Sequence, residues 1–204
     1  MRYGICLWLV LVSHVLIGQN LLRNGSFEEG VGQPGRLPRY WINAGQIEYS
    51  PPDVHTVTRK HFGVLQAPAD GKAYVGLVAR ADFSFEAIAQ RIKPNLMAGT
   101  TYELTLTVCH STELLSLSGG RSPEYFDAPV PFDVYVSNTG NGSAFELVHR
   151  SAPVDHADWR TYTVRFTPAR DWKYLRIGSG MNTLYAKPPN GNILVDNVRL
   201  VAVN

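Results

Sequence analysis

Between Thr101 and Cys109, apolar and polar positions alternate without a break. Tyr102, Leu104, Leu106 and Val108 fall on one side, Thr101, Glu103, Thr105 and Thr107 on the other. The same period sets Phe132, Val134 and Val136 against Asp133 and Tyr135, and Tyr162, Val164 and Phe166 against Thr161, Thr163 and Arg165. A period of two marks a strand with one face buried and one wet, as in antiparallel sheets. Shorter β-rich runs predict strands at 45–49, 73–78, 87–92, 145–148, 174–177 and 193–201. Turn chemistry separates them: Pro51-Pro52, Pro94, Asn141-Gly142, Pro168 and Pro188-Pro189-Asn190-Gly191. Only 79–91 admits a helix, and Ala87-Ile88-Ala89-Gln90-Arg91-Ile92 within it reads better as a strand. Roughly ten short strands so punctuated predict an all-β chain folded as an antiparallel β-sandwich or jelly roll.

The N-terminus departs from this pattern. Met1-Arg2 precedes an apolar run over 5–17, and Gly18-Gln19 follows it. Charge, apolar run and small or polar residues in that order predict a secretory signal peptide over 1–19. A membrane anchor is the alternative, but the run is shorter than the roughly 20 apolar residues a span needs. Residues 20–204 then form one domain with no membrane span. Cys6 leaves with the signal, and Cys109 is left as a small buried hydrophobe. A formal net charge of +2 with 18% charged residues leaves no electrostatic footprint for nucleic acid or a membrane surface.

Two connections are long, 51–70 with His55 and His61, and 110–131 with Arg121, Glu124, Tyr125, Phe126 and Asp127. Long loops on a rigid sandwich are where function concentrates.

Several segments, in order along the chain, resemble the galactose-binding-like carbohydrate-binding modules of the xylanase- and glucanase-associated type. Asn20-Leu21-Leu22-Arg23-Asn24-Gly25-Ser26-Phe27-Glu28 is similar to their opening strand, and Pro38-Arg39-Tyr40-Trp41 to their Pro-x-x-Trp. Gly71-Lys72-Ala73-Tyr74 matches their Gly-x-x-Tyr, and Gln90 with Gly99-Thr100-Thr101-Tyr102 a further strand pair. Trp159 to Phe166 and Leu194 to Leu200 resemble the closing strands. The opening strand and Tyr74-Val75-Gly76-Leu77 are also similar to modules of bacterial surface and gliding-associated proteins. Those carry Cys-Pro ahead of the Trp, where this chain has Gln33-Pro34.

The resemblance implies a galactose-binding-like jelly roll, exported to the periplasm, the cell surface or the medium of a bacterium. It implies a partner that is a polysaccharide or glycan, with a surface protein as the alternative. It also implies a structural Ca²⁺ held by Glu28 and Asp196, with the Lys72 carbonyl as a further contributor. Calcium takes six to eight oxygens, which carboxylates and carbonyls supply. Asp196, placed by period two on the face of Leu194, Val198 and Leu200, needs a partner of some kind. A backbone hydrogen bond or an arginine would serve as well as a metal.

Sugar binding would use rings that stack on C–H faces beside polar groups that bond hydroxyls. Trp41, Tyr125, Phe126, Trp172 and Tyr185 are the candidate rings, and Arg121, Asp127 and Asn182 their polar neighbours. Trp41 is equally readable as core, Tyr125-Phe126 as a plug anchoring its loop, and Trp159 is expected in the core. Catalysis lacks a signal: there is no Gly-x-Ser-x-Gly and no His-Glu-x-x-His, and His55, His61, His110, His149 and His156 are scattered, with solvent or loop roles expected. A hydrolase would need two carboxylates converging across a cleft.

Overall fold

The computed structural model describes residues 18–31, 36–45, 51–117, 123–142, 144–180 and 188–203. The signal-peptide reading falls almost wholly outside them. In chain order the strands are β1 (Ile42–Asn43), β2 (Asp53–Thr56), β3 (Ala73–Ala79), β4 (Ala87–Leu96), β5 (Thr101–Cys109), β6 (Leu115–Leu117) and β7 (Pro123–Tyr125). They continue with β8 (Ala128–Pro129), β9 (Phe132–Ser137), β10 (Phe145–Arg150), β11 (Arg160–Phe166), β12 (Trp172–Ser179) and β13 (Gly191–Val203). No helix occurs among the described residues: within 79–91, Ala79 ends β3, 80–86 form a turn, and 87–91 belong to β4, as the strand reading of Ala87 to Ile92 expects. Most of the strand predicted at 45–49 lies outside the described residues, and β1 ends just before it.

Two sheets pack face to face. A five-stranded antiparallel sheet runs β1-β4-β12-β9-β10. The second runs β11-β5-β13-β3-β2, with β8 pairing β13 in parallel. This is the antiparallel β-sandwich that the alternation predicts. Tyr102, Leu104, Leu106 and Val108 of β5 meet Phe132, Val134 and Val136 of β9 and Leu175 and Ile177 of β12 in the main core. At roughly 25 cal/mol per Å² of apolar surface, this inter-sheet layer is the largest favourable contribution to the fold.

β3 is buried along its whole length because both its faces are covered. Val75, Leu77 and Ala79 point into the main core. Tyr74 and Val78 point outward into a second core with Val64, Cys109, Leu114, Phe126 and Leu194. Cys109 is thus the small buried hydrophobe expected, its thiol pushed well above the usual range by burial. The loops over this face are consequently less irregular than their length suggests. The first contains β2, and the second contains β6, β7 and β8.

The histidines correct the sequence reading in part. His55 is fully buried on β2, stacked 4.9 Å from the Tyr74 ring, and His110 and His156 are buried as well. Trp159 is only partly buried, packed against the second core with its Nε1–H donating to the Ala67 carbonyl.

The opening segment is tied to both sheets. Leu21 N–H donates to the Leu200 carbonyl. Gln90, buried on β4, accepts from Arg23 N–H and returns a bond to the Arg23 carbonyl. Gly25 lies so close to β13 that an added Cβ would collide with the Val198 carbonyl, while Val198 N–H donates to Gly25 O.

Candidate functional site

Of the described loop residues predicted to meet a sugar, two are exposed and one is core. Tyr125 is 58% exposed and Phe126 1%. Consecutive residues of an extended chain point to opposite sides, and here one side is the second core. Asn192, also buried, locks the arrangement by donating from Nδ2 to the Phe126 and Ser111 carbonyls. Asp127 is exposed, and its carbonyl accepts from His110 Nε2. Arg121, Asn182 and Tyr185 lie outside the described residues.

Both candidate tryptophans are core. Trp41 packs on Phe27, ring centroids 5.3 Å apart, and its Nε1–H donates to the Asn24 carbonyl at 2.9 Å. Trp172 is completely buried in the main core, and its Nε1–H donates to Glu146 at 3.0 Å. A buried indole needs an acceptor for its N–H; each has one, so neither ring is free to meet a ligand.

Glu28 and Asp196 do come together, on the outer side of the second sheet. Period two would put Asp196 on the face of Leu194, Val198 and Leu200, but β13 carries a bulge between Asp196 and Arg199. Val198 and Leu200 therefore turn into the main core, whereas Leu194 and Asp196 stay on the outer side. Asp196 Oδ2 accepts from the amides of Ala69 and Asp70, and Oδ1 from Asn197. Glu28 Oε1 accepts from the amides of Lys72 and Ala73. Gly71, at φ +59°, makes the tight turn, and an added Cβ would sit 2.5 Å from Glu28 Oε1.

Burial pushes the Asp196 carboxyl up to about 7, the three amides pull it back, and the Glu28 charge raises it again. Neither carboxylate has an ion-pair partner among the described residues. Two carboxylates held close without a cation fit a hard divalent ion in charge and ligand type. Among the described residues no three His, Cys, Asp or Glu side chains converge, so carbonyls and water would have to complete the shell. The Lys72 carbonyl already accepts from Val57 N–H, leaving one lone pair. Beside this pair lies an open polar groove of about 650 Å³, lined by Asn20, Ser26, Glu28, Thr105, Thr161 and Arg199 among others, with no aromatic ring in its wall.

The rings sequence analysis missed stand on the outer face of the five-stranded sheet. Cross-strand register aligns Ile42, Ala89, Arg176, Tyr135 and Leu147 in one row spanning all five strands. Arg91, Tyr174, Ser137 and Phe145 form the neighbouring row. Paired residues share a face, so these side chains line the side turned away from the core. Tyr135 and Phe145 meet edge to face at 5.1 Å, and Arg91 lies 5.7 Å from the Tyr174 ring. Asp133 accepts from Arg150 Nε and NH2 and from the Tyr135 hydroxyl, each at 2.7 Å. The centre of the face is buried, and its rim, with Ile42, Phe145 and Leu147, is exposed. The signal was present in sequence, since alternation set Asp133 and Tyr135 opposite the core side of their strand.

A third polar cluster is structural. Glu86, buried, accepts from Arg80 NH2 at 2.6 Å and from Val78 N–H, so both its oxygens are occupied.

Comparison with known proteins agrees with the fold. No family model matches the sequence, and no curated protein matches it. Solved structures do. A Stig cyclase from Fischerella sp. TAU, in complex with (3Z)-3-(1-methyl-2-pyrrolidinylidene)-3H-indole, superposes with a TM-score of 0.57 at 16% identity, over 90% of this chain and 96% of that one. The K2 cleaved adhesin domain of Lys-gingipain gives 0.54 at 14% identity, over 87% and 96%. The CBM22-1 xylan-binding domain of Paenibacillus barcinonensis Xyn10C gives 0.52 at 18% identity, over 92% and 96%. The chain therefore has the galactose-binding-like jelly-roll fold of the carbohydrate-binding modules. That fold also carries a cyclase and an adhesin, so the reading of function rests on the site.

Proposed function

We propose that the protein is an exported, non-catalytic carbohydrate-binding module that takes a polysaccharide or glycan on the outer face of its five-stranded sheet. The observation that supports this is the pair of aromatic-and-polar rows there: Tyr174 and Phe145 in one, Arg176 and Tyr135 in the other. Rings present apolar faces to sugar C–H groups while arginine, serine and carboxylate bond hydroxyls, the usual combination in a small-molecule site. The ring-free groove on the opposite sheet lacks the first half of that combination. Asp133 is held by Arg150 and Tyr135, which suits it to positioning rather than to proton transfer. No helix among the described residues is long and apolar enough to cross a membrane.

A calcium ion at Glu28 and Asp196 belongs to the same proposal, in a structural role. It would neutralise two carboxylates that repel each other and would bind the 69–73 turn to β13. The second reading is a surface adhesion module with a protein partner. It draws on the exposed Ile42, Phe145 and Leu147 at the rim of the same face.

The test is retardation of the protein in gels cast with a panel of soluble polysaccharides. Retardation by a polymer class, weakened in Tyr174→Ala and Phe145→Ala variants of unchanged melting temperature, is the expected result. No retardation by any polymer would overturn the carbohydrate reading in favour of a protein partner.

A further inference from the structure

Arg176 stands in the middle of the proposed binding face, on the central strand β12. It is 7% exposed, and its guanidinium lies near two rings, 5.2 Å from the centroid of Phe85 and 5.2 Å from that of Tyr135. Its Nε is buried with no hydrogen-bond partner. No described residue accepts a hydrogen bond from this side chain, and none forms an ion pair with it. The other arginines near this face are satisfied: Arg91 NH1 donates to the carbonyls of Ile92 and Lys173 and to Asn95, and Arg150 holds Asp133 through two nitrogens.

Asp133, the nearby carboxylate, is spoken for by Arg150 and the Tyr135 hydroxyl. The face thus commits the hydrogen bonds of Asp133 to the arginine at the edge, and the arginine at the centre feels that charge without a direct ion pair or hydrogen bond. Burying a cation without a direct partner is costly, so such a group points to something else that supplies the anion. Burial lowers the Arg176 pKa, against the pull of Tyr135 and Asp133.

We propose that the ligand carries a carboxylate: the protein binds a uronate-containing polysaccharide, with the hexuronate carboxylate received by the Arg176 guanidinium. This rests on the carbohydrate reading above and names its substrate class. The guanidinium is planar and offers a fork of N–H donors that matches the two oxygens of a carboxylate. Phe85 and Tyr135 lie beside the guanidinium and help to keep water off it, which strengthens the charged contact. A sulfate ester carries the same charge and can also meet the fork, so a sulfated polymer is tested beside the uronates.

The test measures binding of the full protein to polygalacturonate, alginate and glucuronoxylan, each beside its carboxyl-reduced counterpart, with sulfated dextran as the sulfate probe. The expected result is at least about tenfold tighter binding of one uronate polymer than of its reduced form, the scale of one charge-assisted hydrogen bond. Arg176→Gln should shrink that difference to none, read as the ratio of acidic to reduced polymer within the variant, and Arg176→Lys should restore only part of it. Equal binding of acidic and reduced polymers by the wild-type protein would overturn the proposal and leave the carbohydrate reading intact. So would tighter binding of sulfated dextran than of every uronate polymer, or a difference that survives in Arg176→Gln. The wild-type comparison decides by itself if the variant does not fold. Binding of no polymer, acidic or neutral, would overturn the carbohydrate reading and this proposal together.

Discussion

Tyr125 and Phe126 are sequence neighbours on opposite sides of one short strand end: the first projects into solvent, the second closes the core over β3. A change at each should therefore be read in a different assay. Phe126→Ala removes a fully buried ring and is expected to cost about 3–5 kcal/mol. Tyr125→Ala, at an exposed position, should stay within about 0.5 kcal/mol. Urea denaturation of both checks this. Equal effects would mean that the loop is not anchored through Phe126.

Trp172 is expected to behave as core despite its place among the sugar-binding candidates. Trp172→Ala should lose about 3–5 kcal/mol and leave Glu146 without its donor. Trp172→Phe keeps most of the volume and loses the Nε1–H bond, so its cost should be smaller. Chemical denaturation of the two variants ranks them. A Trp172→Ala protein as stable as wild type would contradict a buried indole.

Stability should fall as pH rises from about 4 to about 7 in the presence of chelator. The Asp196 carboxyl is raised from 3.8 to about 7 by burial, with Glu28 adding to the rise. Asp53 is likewise raised to about 7 by burial, against the pull of Arg80. Between those limits the folded chain holds protons that the unfolded chain has released, so the stability present at low pH is lost through this window. Asp196→Asn should flatten the slope. His55, lowered to about 3 by burial, pulls the other way between about 3 and 6.5, so a slope unchanged in Asp196→Asn is the result that would contradict the assignment.

Calcium acts on the same pair with the opposite sign. At pH 7 added Ca²⁺ should raise the melting temperature, and chelator should reverse the rise, because an ion bound only by the folded state stabilises it by mass action. Glu28→Gln should abolish the response without disturbing the main core. A calcium response that persists in Glu28→Gln would place the ion elsewhere.

The sandwich was legible in the alternation of β5, β9 and β11, because period two is a local property of the chain and burial follows from it. The bulge in β13 was not. Asn197 and Val198 together lie opposite Leu106, and the mark of the break is slight: Asn197, at φ +50°, is of a type that takes the left-handed conformation readily. The resemblance placed Glu28 and Asp196 together, and the bulge explains how Asp196 leaves the core side. The aromatic face was hidden for another reason. Phe85, Tyr135 and Arg176 come from three distant segments, and each alone reads as an ordinary residue on the wet side of a strand. Their meeting depends on the order β4-β12-β9, a long-range property. Loop aromatics such as Phe126 misled because an exposed ring and an anchoring plug have the same local sequence.

Which surface takes the sugar is tested by amide chemical shifts of the protein titrated with an oligosaccharide from whichever polymer retards it. Binding on the sheet face predicts shifts concentrated in Phe132–Ser137 and Trp172–Ser179, with Tyr135 and Arg176 among the largest. Shifts confined to 110–127, around Tyr125 and Asp127, would contradict the sheet face and return the site to the loops.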